Sequence, residues 1–542
     1  MKILFAPIYI FFLLATVTSC KKYLDAVPYS FTSPDNFYKT PKDAELALTG
    51  VYSVLSATSI QGTGNKSTYS RALLCMLNGA TDETVARNGF SNTDFVVWGN
   101  ASFNSESKLV NETWFFFYAG INRANYLIEK IEAINGFSGN RKNEIIAEAR
   151  LLRGFYHMML SMMHGGIPVY TTSVQDPSKA RQPIQDVYTQ VIADYDFAYH
   201  NLPHRAQLES RVNKWTAAGL LAKVYTYLAS AKKTGLNNFG LDINSFDWVD
   251  ADDLYGKSLM LTTDIITKGG YELIPRYDYL FRENTKSFQY KECLLTAEAS
   301  TDPRSILTHL VNVGFTPSGG QNTVGGGQGN WRPAGELFYK YVAGDARFKH
   351  NLTGNIPNNA AAETIEGSRY YIPNTINNPT QNTYSIGKYR VIDPAEKTIG
   401  LGSVSTSLPI LRYGDVLLLH AEAQFFSGNE PDARATLEKL RLRALNTGSS
   451  INTLTNAYRK ADFVQELLDE RARELCFENW RRIDLARFNK YDETIANLST
   501  TLGFYNSIVP EIQRNWKPER VWFPIPLPQM DLNTNLVQNP GF

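Results

Sequence analysis

Apolar positions recur at three- and four-residue spacing along most of this chain, and strict alternation is nearly absent. Such spacing lays one apolar stripe along a helix, so a mostly α-helical fold is expected. After Thr40-Pro41-Lys42-Asp43, the residues Ala44, Leu48, Val51, Tyr52 and Leu55 share a face. The Thr40 hydroxyl suits an N-cap, Pro41 suits the first turn, and Asp43 at the third position approaches a capping box. Ser33-Pro34-Asp35 offers a similar start just upstream. Segment 114–134 carries Phe117, Ile121, Ala124, Leu127, Ile128 and Ile131 at helical spacing. Residues 145–164 run without a Gly or Pro break except Gly154, and stop at Gly165-Gly166-Ile167-Pro168. Further helices are expected over 185–202, 215–231, 254–268, 413–426, 430–445 and 462–487.

The segments 413–426 and 430–445, joined by Ser427-Gly428-Asn429, read as an αα-hairpin. Ala421, Ala423, Ala433 and Ala435 would let its helices approach closely. A helix–turn–helix of this length is tetratricopeptide-like, although no strict sequence repeat is visible. Between 270 and 412 Gly, Asn, Pro and Thr accumulate, above all over 314–330 and 351–383. Long irregular segments in a compact body are usually functional loops.

The N-terminus changes the picture. Met1-Lys2 supplies a positive charge, Ile3 to Val17 form an apolar run, and Val17-Thr18-Ser19 lead into Cys20. The run is short for a membrane span, so it reads as a secretory signal. Small residues before a Cys resemble a bacterial lipobox, which implies cleavage of residues 1–19 and lipidation of Cys20. Residues 20–32, opening with Lys21-Lys22, then form a polar tether to a single body over 33–542. That body divides into an N-terminal part, 33–270, and a loop-rich and C-terminal part, 271–542. Later segments offer no comparable apolar stretch.

Composition excludes some classes. A net charge of +1 over 542 residues leaves no electrostatic footprint for nucleic acid. Of the four cysteines, Cys75, Cys293 and Cys476 remain once Cys20 is lipidated, and without CxxC spacing they are expected as buried free thiols. No catalytic residue, metal or cofactor is expected. The seven histidines form no HExxH, and His157 and His164, seven apart on one helix, lack a neighbouring carboxylate. The run Gly325 to Gly329 lacks the Lys-Ser/Thr of a phosphate loop. Glu470, Glu474 and Glu478 share a helix face and invite comparison with a glycosidase pair. Arg471, Arg473, Arg481 and Arg482 lie close enough in sequence to keep all three ionised, so a buried bracing network is expected instead.

Several motifs in order resemble the SusD/RagB family of outer-membrane nutrient-binding lipoproteins. They are Tyr118-Ala-Gly-Ile-Asn-Arg-Ala-Asn125, Ala149-Arg-Leu-Leu-Arg-Gly-Phe-Tyr156 with Gly166-Ile-Pro-Val169, and the run from Asn213 to Tyr225. Leu411-Arg-Tyr-Gly-Asp-Val-Leu-Leu-Leu419, Glu470 to Arg487, and the closing Phe523-Pro-Ile-Pro526 and Asn539-Pro-Gly-Phe542 complete the set. Asn479 stands where the family usually has Gly, and Arg482 where an aromatic is common. The resemblance implies tetratricopeptide-like helix pairs forming a superhelical scaffold with a loop-rich ligand-binding face. It implies a surface-facing, lipid-anchored protein of the outer membrane that captures glycans and delivers them to a SusC-like TonB-dependent transporter. A peptide-capturing RagB-like lipoprotein and a secreted glycoside hydrolase are the alternatives.

A glycan site needs aromatic faces for sugar CH groups and polar side chains for hydroxyls. Trp98, in Phe95-Val-Val-Trp-Gly-Asn100, and Trp331, in Gly329-Asn-Trp-Arg332, lie off the long helices beside polar, turn-rich segments. Each reads either as a sugar platform or as a plug on the core. Asp82, Arg87 and Asn100 from the first loop, with Asn330 and Arg332 from the second, are the polar candidates. Trp114, Trp215 and Trp480 sit among apolar helical neighbours and are expected in the core.

Overall fold

The computed structural model describes residues 37–56, 68–86, 93–299, 331–354, 362–365, 368–371, 384–389, 407–502 and 506–542. The expected signal segment, the lipidation site Cys20, the tether and the start at Ser33-Pro34-Asp35 lie outside them. Among the described residues no helix is long and apolar enough to cross a membrane.

Helix α1 (Pro41–Tyr52) begins on the expected capping box, with Thr40 and Asp43 each bonded to the other's backbone N–H. Helices α2 (Lys108–Lys130) and α3 (Arg141–His164) follow, then α4 (Ile184–Asn201) and α5 (Lys214–Thr234). After them come α6 (Ala251–Lys268), α7 (Tyr413–Phe426) and α8 (Glu430–Arg443). From Ile145 onward every residue of helix α3 except Arg150 is buried, its polar side chains included. Its Gly154 lets α4 close in, since a Cβ there would sit 3.0 Å from the Tyr195 ring. Asn213 caps α5 through the backbone N–H groups of Trp215 and Thr216, and Gly235 ends it in the left-handed region.

From α2 to α8 each long helix packs on the next in chain order, with α1 against α2 and α3. This is the tetratricopeptide-like superhelix that the hairpin spacing predicts. Helices α7 and α8 also enclose α9 (Phe463–Leu475), through Leu417, Leu418, Leu437, Leu440, Leu467 and Leu468. A larger core runs through α1 to α7 and reaches Trp522 and Phe523 near the C-terminus.

The strands are short. β1 (Thr84–Ala86) pairs antiparallel with β3 (Trp331–Pro333), and β2 (Cys293–Ala297) with β8 (Leu408–Arg412). β4 (Leu352–Gly354) pairs with β7 (Tyr384–Ile386), and β5 (Ala362–Ile365) with β6 (Ser368–Tyr371). The β2–β8 ribbon lies on α5, where Gly219 leaves room for Leu411. Cys75, Cys293 and Cys476 are buried free thiols.

One expectation fails here. The continuous helix over 462–487 is divided into α9 and α10 (Arg481–Arg487). Phe477 and Asn479 hold φ of +65° and +68° in the turn between them. A left-handed residue costs about 1–2 kcal/mol unless it is Gly or, more cheaply than most, Asn. Asn479 therefore serves the backbone in the place where the family resemblance expects Gly. Its Oδ1 also accepts a 2.7 Å bond from Asn78 Nδ2.

Candidate functional site

The two segments expected to form the ligand face share a root. Ala86 lies opposite Trp331, Val85 opposite Arg332 and Thr84 opposite Pro333. Segment 87–92 therefore leaves β1 at the end where segment 300–330 enters β3. Arg87 and Asn330 lie outside the described residues.

The remaining candidates form the foundation of that root rather than a sugar platform, which corrects the exposed reading. Trp98 is fully buried, stacked on Phe103 at 4.2 Å, edge-on to Phe523 at 4.9 Å, with its indole N–H donated to Ser107. Trp331 is fully buried over Gly79, where a Cβ would come within 2.9 Å of the indole ring. Arg332 is buried beside it in β3. Asp82 accepts both branches of the Arg481 guanidinium at 2.7 and 2.6 Å and has Lys340 at 3.3 Å. Burial pushes its carboxyl up, but Arg481 and Lys340 outweigh that and hold it well below the usual range. Asn100 is half-buried. Its Oδ1 closes a turn on Ser102, and its carbonyl accepts from Asn515. Trp98, Trp331, Arg332 and Asp82 are buried and offer no face to a sugar.

Glu470 and Glu474 of α9, with Glu478 in the turn after it, sit in the bracing network that the arginine-rich sequence predicts. Glu470 accepts from Arg347 at 2.8 Å, Arg441 at 2.9 Å and Arg473 at 2.8 Å. Glu474 accepts from Arg347 at 2.9 Å, Arg412 at 2.6 Å and Arg443, while Glu478 accepts from Lys388 at 2.6 Å and Arg412 at 2.9 Å. Burial opposes ionisation of Glu470 and Glu474, yet the surrounding guanidiniums hold both well below the usual carboxyl range. Neither is a proton donor near neutral pH, so this pair lacks the acid that glycoside hydrolysis needs.

Of the four arginines expected to act, only Arg473 touches a glutamate of the trio. Arg471 instead binds Asp415 and Asp484, and Arg481 binds Asp82. Arg482 lies among Phe103, Tyr491, Trp516 and Phe523, its guanidinium carbon 4.6 to 5.4 Å from their ring centres. It fills aromatic space with a flat cation, which accounts for Arg where an aromatic is common. The partners that sequence reasoning missed, Arg347, Arg412, Arg441 and Arg443, come from other elements and carry no local signal. His157 and His164 are fully buried, and burial, helped by Arg153 and Arg181 respectively, pushes each down to about 3. Among the described residues no three of His, Cys, Asp and Glu gather in a metal-holding group.

Residues 316–542 match the model described as SusD family, and residues 22–226 match one described as starch-binding, associating with outer membrane. The chain belongs to the SusD/RagB family. Over 542 aligned residues it is 25% identical to SusD-like protein P2 of Formosa agariphila, covering 98% of each chain. A SusD homolog of Bacteroides thetaiotaomicron superposes with a TM-score of 0.70 at 20% identity, over 94% of this chain and 98% of that one. A laminarin-binding SusD-like protein gives 0.67 at 22% identity, over 93% and 100%. At these identities the two superpositions speak for the fold.

Proposed function

We propose that this chain is a lipoprotein of the outer membrane, lipidated at Cys20 and facing outward, that captures glycans and delivers them to a SusC-like TonB-dependent transporter. The observation that carries this reading is the common root of segments 87–92 and 300–330 on a fully buried foundation. A scaffold that buries Trp98, Trp331, Arg332 and Asp82 around the paired β1 and β3 is a rigid frame of the kind that leaves specificity to its connecting segments. The family description as starch-binding and the laminarin-binding relative favour glycans over peptides. The ionised glutamates of α9 favour capture over hydrolysis.

The test is calorimetric titration of the full chain with maltohexaose and laminarihexaose, with reducing ends assayed after incubation. Binding without new reducing ends is expected. Release of reducing ends would make the protein a hydrolase, and binding of a peptide digest but of neither sugar would make it a peptide carrier.

A further inference from the structure

Away from the loop root, the outer face of α2 opens into a groove of about 540 Å³, within the usual range for a small-ligand site. Its walls are α2, the segment after α3, and the C-terminal stretch that begins with the short helix Leu527–Leu532. Trp114, Phe115 and Tyr118 of α2 face it together with Tyr170. The rings are fixed rather than loose. Tyr118 donates its hydroxyl to the Pro168 carbonyl at 2.7 Å, and Tyr170 donates to the Asp176 carbonyl at 2.8 Å. Trp114 and Tyr118 stand 5.0 Å apart, Tyr118 and Tyr170 5.7 Å. Phe115 is 49% exposed, enough to offer a ring to a ligand.

Apart from the Tyr118 and Tyr170 hydroxyls, already donated to carbonyls, the polar groups of the groove are amides: Asn122, Gln175, Gln529 and Asn533. Gln529 and Asn533 are already engaged with Asn111 and the Lys179 carbonyl. Asn122 Oδ1 and Gln175 Nε2 are withdrawn from solvent and have no hydrogen-bond partner among the described residues. Such atoms are costly to leave unpaired, so the site is primed for a ligand that both donates and accepts. No charged residue lines the groove. A hydroxyl is donor and acceptor at once, and the CH faces of a pyranose match aromatic rings. An acidic sugar would bring a charge that no lining residue answers.

We propose that this groove is a second carbohydrate subsite, separate from the loop face, for a short neutral oligosaccharide. Phe115 and Tyr170 supply the apolar faces, while Asn122 and Gln175 pair with adjacent hydroxyls. The proposal rests on the reading of the protein as a glycan-capture protein. A buried file of rings, Trp98 to Phe523 at 4.9 Å, Phe523 to His164 at 6.0 Å and His164 to Trp114 at 5.2 Å, joins the floor of the groove to the loop root.

The test is calorimetry of the full chain with maltohexaose and laminarihexaose, comparing wild type with Phe115→Ala/Asn122→Ala and with Phe115→Ala alone. The single variant removes a half-exposed ring and keeps the test open should the double variant not fold. Loss of one binding event, or at least about tenfold weaker binding, with an unchanged melt supports the subsite. Wild-type affinity and stoichiometry in a folded variant overturn it while leaving glycan capture standing. The same result with lost co-purification of the transporter would make the groove a protein-docking face and equally overturn it. Absence of binding by wild type to either sugar overturns the capture reading and the subsite together.

Discussion

At the scale of single residues, the two tryptophans show how little an amino-acid type says about exposure. Trp98 and Trp331 stand in turn-rich surroundings with polar neighbours, which suits a platform and a plug equally. Of the partners that decide between them, Phe103 lies only five residues from Trp98, whereas Phe523 and, for Trp331, Gly79 lie far away in the chain. A fully buried Trp leaves a large cavity when truncated, so Trp98→Ala and Trp331→Ala should each lose about 3–5 kcal/mol of folding stability. Glycan affinity of the folded fraction should stay near wild type. Urea denaturation beside calorimetric titration reads both quantities, and an unchanged midpoint with lost binding would return these residues to the ligand face. Asp82 teaches the same lesson, since an acidic residue in a polar loop is bound to Arg481, hundreds of residues away.

At the scale of elements, helix spacing was legible and helix interruption was not. The apolar stripes predict α1 to α8 closely, because a helix one turn long or six turns long obeys the same local rule. The division of α9 from α10 falls at Cys476 to Trp480, a stretch without Gly or Pro, where Asn479 is the only local clue. The charge pattern of α9 predicts a network but misassigns its members, because Arg347, Arg412 and Arg443 reach Glu474 from other elements. Removing one partner strands the others, so Glu474→Ala should lose about 3–5 kcal/mol. The pH dependence follows from the same geometry. Glu470 and Glu474 have folded-state values below the unfolded value near 4.3, so their stabilisation is fully present above that pH and is lost as pH falls beneath it. Thermal melts from pH 7 to pH 3 should decline below about pH 6.5, where the unfolded chain takes up protons that buried His157 and His164 refuse, and steepen below about pH 4.3 as the glutamates protonate. A Glu474→Gln variant should lose much of that acid-side slope. A wild-type melt that is flat down to pH 3 would remove the network from the account of stability.

At the scale of the whole molecule, the folded body and its attachment are separable. The described helices stack in chain order from α1 at Pro41 and close on the C-terminal segment. There Asn539 donates to the carbonyls of His164 and Phe523 and accepts from Arg181. No described helix is long and apolar enough to cross a bilayer. In the proposed reading, attachment rests on the segment around Cys20. Each methylene of an acyl chain placed in lipid contributes about 0.8 kcal/mol, so a multiply acylated cysteine would hold the chain almost permanently. Cys20→Ala, expressed without the transporter, should lose lipid labelling and move to the soluble fraction. Its melting temperature and sugar affinity should match wild type, because the described helices pack on one another and on the C-terminal segment. Fractionation with lipid labelling, set beside a thermal melt, checks all three. A Cys20→Ala protein that stays with the membrane would place the anchor in another segment, and one that melts early would tie the N-terminal segment to the fold.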